Sequence, residues 1–189
     1  MLGKVKPDMG AAASVESNRN GGVDVGFKNT YKFECFDKNG NLKWEETVCN
    51  TVVNTGLDDI LDKYYKGANY TASHFIGLTA ATPTIAPGDT MASHAGWTEL
   101  VDYSETARPA LIVGVVAGQA VDNSASKATF TIAGAGPFTV GGAFVTTDAT
   151  KSGTVGTLVG AAAFSAGNKS GMAAGDTLNV TVSLTAATL

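Results

Sequence analysis

The chain has 189 residues, a formal charge of −4 at pH 7 and only 16% charged side chains. That length suits one domain with an appendage, and its core needs no disulfide staple. The acidic balance, without a Lys/Arg-rich window, argues against a nucleic-acid surface, and the longest apolar runs, such as ALIVGVVAG, are too short to cross a bilayer.

Residues 1–28 carry no apolar period and are dominated by Gly, Ala, Ser and Asn. They read as an extended arm or a disordered tail, and they lack the apolar core of a signal peptide. Leu2, Val5, Val15 and Val23 are the arm's candidate contacts with a neighbouring subunit.

Residues 29–189 read as one domain. A hairpin is predicted over 31–48, where Tyr31, Phe33 and Cys35 alternate with Lys32 and Glu34, and Leu42 and Trp44 alternate with Lys43 and Glu45. Asn39-Gly40 would supply the positive φ angles of a tight two-residue turn. This register sets Cys35 opposite Trp44 and leaves Cys49 about five residues, roughly 17 Å, further along. A disulfide is out of reach at that distance, so two free, buried thiols are expected. Asp37, Asn39 and Asn41 do not make a calcium loop, because the glycine comes too early and Val48 stands where a glutamate is needed.

A helix is predicted over 55–66. Leu57, Ile60, Leu61 and Tyr64 share one face, Thr55 and Asp58 form a capping-box-like start, and Gly67 is a natural stop. From Phe75 onward the pattern is β. HFIGL, PALIVGVVAG, KATFTI, VGGAFVTT, GTLVGAAAF and DTLNVTVSLT are separated by Gly, Asp and Ser clusters. Ala128, Phe130 and Ile132 are expected inward, as are Leu178, Val180, Val182 and Leu184. Ala143 and Val145 share a face opposite Phe144, and Leu158, Gly160, Ala162 and Phe164 form another candidate face. The expected fold is mainly β: an antiparallel sandwich, jelly-roll- or immunoglobulin-like, with one short helix and an N-terminal arm.

Between Gly88 and Pro109 both periods fail, and a connection of that length is usually functional or disordered. Its large side chains argue for order. His94 with Ser93 or Ser104 and Asp89 or Asp102 offers the elements of a hydrolase triad, yet no G-x-S-x-G elbow frames either serine. Glu99 and Glu105 are a possible glycosidase pair, but sequence does not fix their separation. The two cysteines and two distant histidines give no zinc spacing. Structural roles are preferred: Arg108 pairing with Glu105 or Asp102, and Trp97 lying flat on apolar surface beside Gly96. Met91, His94, Trp97, Tyr103 and Arg108 are the loop's candidate interface residues, and no catalytic residue, metal or cofactor is expected.

The segments FDKNGNLKWEETVCNTVVNTGLDDILDKYY, FIGLT, GDTMASHAGWTELVDYSETARPA, VDNSASKATFTI, VGGAFVTT and DTLNVTVSL together resemble a family of tailed-bacteriophage virion proteins. The resemblance spans residues 31–185 and is most specific in the Trp97–Pro109 loop. It implies a non-enzymatic structural component, made in the host bacterial cytoplasm and carried on the virion. A decoration (cement) protein on the capsid exterior is preferred, with the major capsid protein and further copies of itself, as dimer or trimer, for partners. A tail or fibre-base protein and a receptor- or glycan-binding module are the alternatives. Neither nucleic acid nor membrane is an expected partner.

Overall fold

Period-two alternation dominates the sequence, and antiparallel strands dominate the fold. The computed structural model describes residues 25–68 and 73–188. The arm residues Leu2, Val5, Val15 and Val23 lie outside them. In chain order the elements are β1 (Val25–Phe36), β2 (Leu42–Cys49), β3 (Thr51–Val52), α1 (Asn54–Tyr64), β4 (Phe75–Thr79), β5 (Glu99–Leu100) and β6 (Ala120–Asp122). After a 3-10 turn at Ser124–Ser126 come β7 (Ala128–Thr131), β8 (Phe138–Val140), β9 (Gly142–Thr146), β10 (Leu158–Ala163), β11 (Lys169–Met172) and β12 (Thr177–Thr188).

One sheet runs β2-β1-β12-β6, with β7 also paired to β12; the other runs β3-β10-β9-β4-β5, and β8 and β11 form a small ribbon. β1 and β12 pair along their whole length, from Val25 opposite Thr188 to Phe36 opposite Thr177. β1 therefore takes in residues 25–28, which were expected in the arm. Asn123 joins β6 to β7 beside β12: its buried side-chain carbonyl accepts from the Val182 amide at 2.7 Å and its amide donates to the Val180 carbonyl at 3.2 Å.

The main core lies between the sheets. Tyr31, Phe33, Phe130, Leu178, Val180 and Val182 from the first meet Ile76, Leu78, Ala143, Val145 and Ala162 from the second. The inward positions expected in β1, β7 and β12 hold, with Leu184 only partly buried at the rim. A second core covers the outer face of β9 and β10, where Val53, Met91, Trp97, Phe144, Leu158 and Ala161 pack together. The second sheet is thus buried on both faces, and all five residues of β9 are buried. A register shift between Leu158 and Gly160 puts Leu158 in the outer core while Ala162 and Phe164 join the inner one, which splits the single face expected there.

Three local expectations change. Only Gly40 of the Asn39-Gly40 pair has positive φ, at +84°. The turn is instead a longer one, in which the Asp37 carboxylate accepts from the amides of Asn39 and Asn41 at 2.8 and 2.9 Å. The helix begins one residue early and its capping box is not made; the Thr55 hydroxyl donates to the Leu158 carbonyl at 2.7 Å. Gly56 is the residue that packs on the sheet, because a side chain there would strike the Val159 carbonyl. Leu57 and Leu61 sit about 100° and 140° around the helix from Gly56, so they and Tyr64 face solvent rather than the core.

The cysteine register is as expected, with Cys35 opposite Trp44 and Cys49 opposite Thr30. Both are free, but only Cys35 is buried; Cys49 is exposed. Burial pushes the Cys35 thiol up to about 11. An aromatic disulfide reagent at pH 8 is expected to titrate one thiol in the native protein, removed by Cys49→Ser, and two in denaturant.

Candidate functional site

The Gly88–Pro109 loop is built in two parts, and both turn inward. The first closes on itself through Thr90 and Ser93, whose amides each donate to the other's carbonyl at 2.9 and 3.2 Å. The Asp89 carboxylate accepts from the Ala86 amide at 3.1 Å and from the Trp97 indole at 3.4 Å. Fixed this way, Trp97 lies 4.8 Å from Phe144 on the outer face of the second sheet. The His94 ring stacks on Trp97 at 3.7 Å, and its Nδ1 is 3.1 Å from the Trp97 carbonyl oxygen. Gly77, opposite Phe144 in the sheet, is required because the Phe144 ring occupies the space of any side chain there.

The second part re-enters through β5. Tyr103 packs edge-on against Phe130 at 5.0 Å, inside the main core. The Lys151 ammonium lies 3.7 Å from the Tyr103 ring centre and donates to the Tyr103 carbonyl at 2.6 Å. Arg108 is enclosed, and its guanidinium grips Glu99 with two bonds of 2.8 and 2.9 Å. It also donates to the carbonyls of Asp148 and Gly153 at 2.9 and 3.1 Å, with the Asp148 carboxylate at 3.5 Å. Glu99 accepts in addition from the Ser152 amide at 2.7 Å. Arg108 therefore ties three segments together, and its partners are Glu99 and Asp148, not Glu105 or Asp102. Sequence proximity had suggested the wrong acids, since Asp148 is 40 positions away.

This placement corrects the expected interface. Met91, Trp97, Tyr103 and Arg108 are covered by the chain itself, and His94 is half-buried on Trp97. A partner does not reach the four buried side chains. Loop-fixing roles, also foreseen for Trp97 and Arg108, are what the geometry supplies. The polar groups considered for chemistry are occupied in the same way. Asp89 holds the indole, Glu99 holds Arg108, and both oxygens of Glu105 accept from the Thr131 amide at 3.0 and 3.1 Å. Among the described residues no group of three or more His, Cys, Asp or Glu side chains is placed to hold a metal ion.

The surfaces left open lie elsewhere. On α1, Leu61, Tyr64 and Tyr65 are 54%, 80% and 78% exposed, and the two tyrosine rings pack edge-on at 5.0 Å. The helical period had placed Leu57, Ile60, Leu61 and Tyr64 on one face; Leu57, Leu61 and Tyr64 are exposed because Gly56 is the residue that meets the sheet. The second open surface is Ile112–Val116, from the run expected as a long strand. Among the described residues it is held by the Ala110–Phe75 and Ala117–Ala120 bridges at its flanks and by one bond from the Gly114 amide to the Asp122 carbonyl. Beside α1, Thr55, Asp58, Asp59, Asp62, Thr90, Gly156, Thr157 and Leu158 line an open groove of about 380 Å³. It is too open to bury most of a small molecule, as a typical ligand pocket does.

His74 stands at the seam between β4 and the Pro109–Leu111 segment, where its carbonyl accepts from the Leu111 amide at 2.8 Å. Burial lowers its pKa, and Asp59 offsets this in part. The folded state therefore binds the proton less readily than the unfolded chain. Stability is full above the unfolded pKa of about 6.5 and falls as pH drops below it. We expect His74→Gln to flatten the slope of Tm against pH between about 6.5 and 5.

No helix among the described residues is long and apolar enough to cross a membrane. Compared with protein-family models, curated proteins and solved structures, the chain finds no match in any of the three.

Proposed function

We propose that this chain is a non-enzymatic structural protein of a tailed bacteriophage. In this reading it decorates the capsid exterior and stabilises the shell by bridging capsid subunits. The observation that carries the proposal is the outer face of α1. Leu57, Leu61, Tyr64 and Tyr65 are exposed at a helix that meets the sheet through Gly56. A contiguous apolar face rimmed by polar groups marks a protein-docking surface, and tyrosine supplies large contact area at low entropic cost. The contact surface moves accordingly, from the Trp97 loop to the helix. The resemblance in the sequence supplies the major capsid protein as partner. Many copies on a lattice make modest individual contacts sufficient. The engagement of Asp89, Glu99 and Glu105 in fixing the loop supports a scaffolding role over a hydrolytic one.

The test is to locate the chain in purified particles of the phage that encodes it, by antibody labelling and electron microscopy, for the natural chain and for Tyr64→Asp. Signal over the whole head that drops at least about tenfold in Tyr64→Asp supports the reading. Signal confined to one vertex or to the tail tip assigns the protein to the tail instead. Absence from particles overturns the proposal.

A further inference from the structure

The Ile112–Val116 run is open in its backbone as well as in its side chains. Ile112, Val113, Val115 and Val116 are all exposed, Val115 to 91%. Among the described residues their amides and carbonyls make no hydrogen bond within the chain. One tie crosses the run, from the Gly114 amide to the Asp122 carbonyl, and Gly114 is itself exposed. The flanks are fixed: the Leu111 amide donates to the His74 carbonyl, and the amides of Ala117 and Ala120 each donate to the other's carbonyl. An endoprotease holds its substrate as an extended strand, engages the free backbone groups and seats one side chain in a specificity pocket. Exposed loops are where such cuts fall. Other exposed turns are closed to this. The Asp37 carboxylate accepts from the amides of Asn39 and Asn41 at the hairpin tip. The loop at Val155 is pinned on both sides, by Arg108 on the Gly153 carbonyl and by the Thr147 hydroxyl oxygen on the Thr157 amide.

We propose that residues 112–116 are a proteolytic processing site for an endoprotease with a small apolar specificity pocket, and that the cut chain persists as a two-piece form of the same fold. The step is hydrolysis of one peptide bond: water adds its hydroxyl to the carbonyl carbon and its hydrogen to the amide nitrogen, leaving a carboxylate and an ammonium. No charged or aromatic residue occurs between Arg108 and Asp122, so the run suits a pocket for aliphatic side chains and excludes enzymes that require a basic, acidic or aromatic one. The pieces stay together because each sheet draws strands from both sides of the cut. In the first, β1 and β2 come before it and β6, β7 and β12 after; in the second, β3, β4 and β5 come before it and β9 and β10 after. β1 pairs with β12 over its whole length, and β4 pairs with β9 from Phe75 opposite Thr146 to Thr79 opposite Gly142. The main core is shared in the same way, with Tyr31, Phe33 and Ile76 from one piece against Phe130, Leu178 and Val180 from the other. This inference does not depend on the capsid assignment.

The test is brief digestion of the folded full chain with pancreatic elastase, with mass spectrometry of the pieces over time. Within residues 25–188 the first cut is expected at a bond between Ile112 and Ala117. The two pieces should elute together from gel filtration and part only in denaturant, and the Tm of the cut form should rise with its concentration, as for any non-covalent pair. A first cut elsewhere in residues 25–188 overturns the site. Pieces that separate in native buffer overturn the two-piece form. Replacing Ile112, Val113, Val115 and Val116 together by aspartate should slow the cut at least about tenfold, because a carboxylate does not enter an apolar pocket. A folded variant cut there as fast as the natural chain overturns the pocket assignment. Should the variant fail to fold, the mapped cut in the natural chain decides the site by itself.

Discussion

Arg108→Ala is expected to lower unfolding free energy by about 3–5 kcal/mol, the cost of leaving one member of a buried ion pair without its partner. The side chains of Arg108 and Glu99 are 1% and 7% exposed, so water cannot take over the lost bonds. Removing the guanidinium strands the Glu99 carboxylate and orphans the carbonyls of Asp148 and Gly153. Arg108→Lys should recover only part of the loss, because an ammonium cannot reproduce the two-pronged grip on Glu99. Glu99→Ala in the Arg108→Ala background should cost far less than Glu99→Ala alone, since the carboxylate is by then a liability. Urea denaturation of the four variants measures all of this. Simple additivity of the two single changes would show that the pair is not coupled.

Trp97→Ala should cost a similar amount, about 3–5 kcal/mol, and lower Tm by roughly 10 °C for a chain of this size. Trp97 fills the space between His94 and Phe144 and covers Met91, Leu158 and Ala161. Its loss opens a cavity on the outer face of the second sheet and removes the indole bond to Asp89. The same variant discriminates between two roles for the loop. A scaffolding side chain lowers Tm and leaves association with partners unchanged at temperatures where the protein is folded. A variant that keeps its Tm but loses association would return Trp97 to an intermolecular surface.

The strands and their inner faces were readable because alternation is a local signal. Tyr31, Phe33 and Cys35 announce β1, and Leu178, Val180 and Val182 announce β12, without knowledge of what they face. The Cys35–Trp44 register followed from the turn position even though the turn type did not. What failed was everything that depended on distant chain. Phe144 points away from the main core, and nothing in VGGAFVTT indicates that Trp97 and Met91 arrive to cover it. Arg108 was given Glu105 and Asp102, its neighbours in sequence, whereas its carboxylate partners are Glu99 on β5 and Asp148 beyond β9. Apolar periodicity identified α1 and the ALIVGVVAG run as surfaces that exclude water. It could not say whether the chain itself covers them, and Leu61, Tyr64, Val115 and Val116 are exposed.

The pairing of β1 with β12 has a consequence for how the protein is made. Thr188 lies opposite Val25, and the central pair of the first sheet joins two strands far apart in sequence. Loop closure over such a separation must precede any gain from the contact, which slows folding. On the ribosome, β1 emerges before β12 and waits, with Tyr31 and Phe33 uncovered, until β12 has been made. Chains cut short before β12 would thus be prey for proteases, and synthesis of the final strand is the event that commits the domain to its native state.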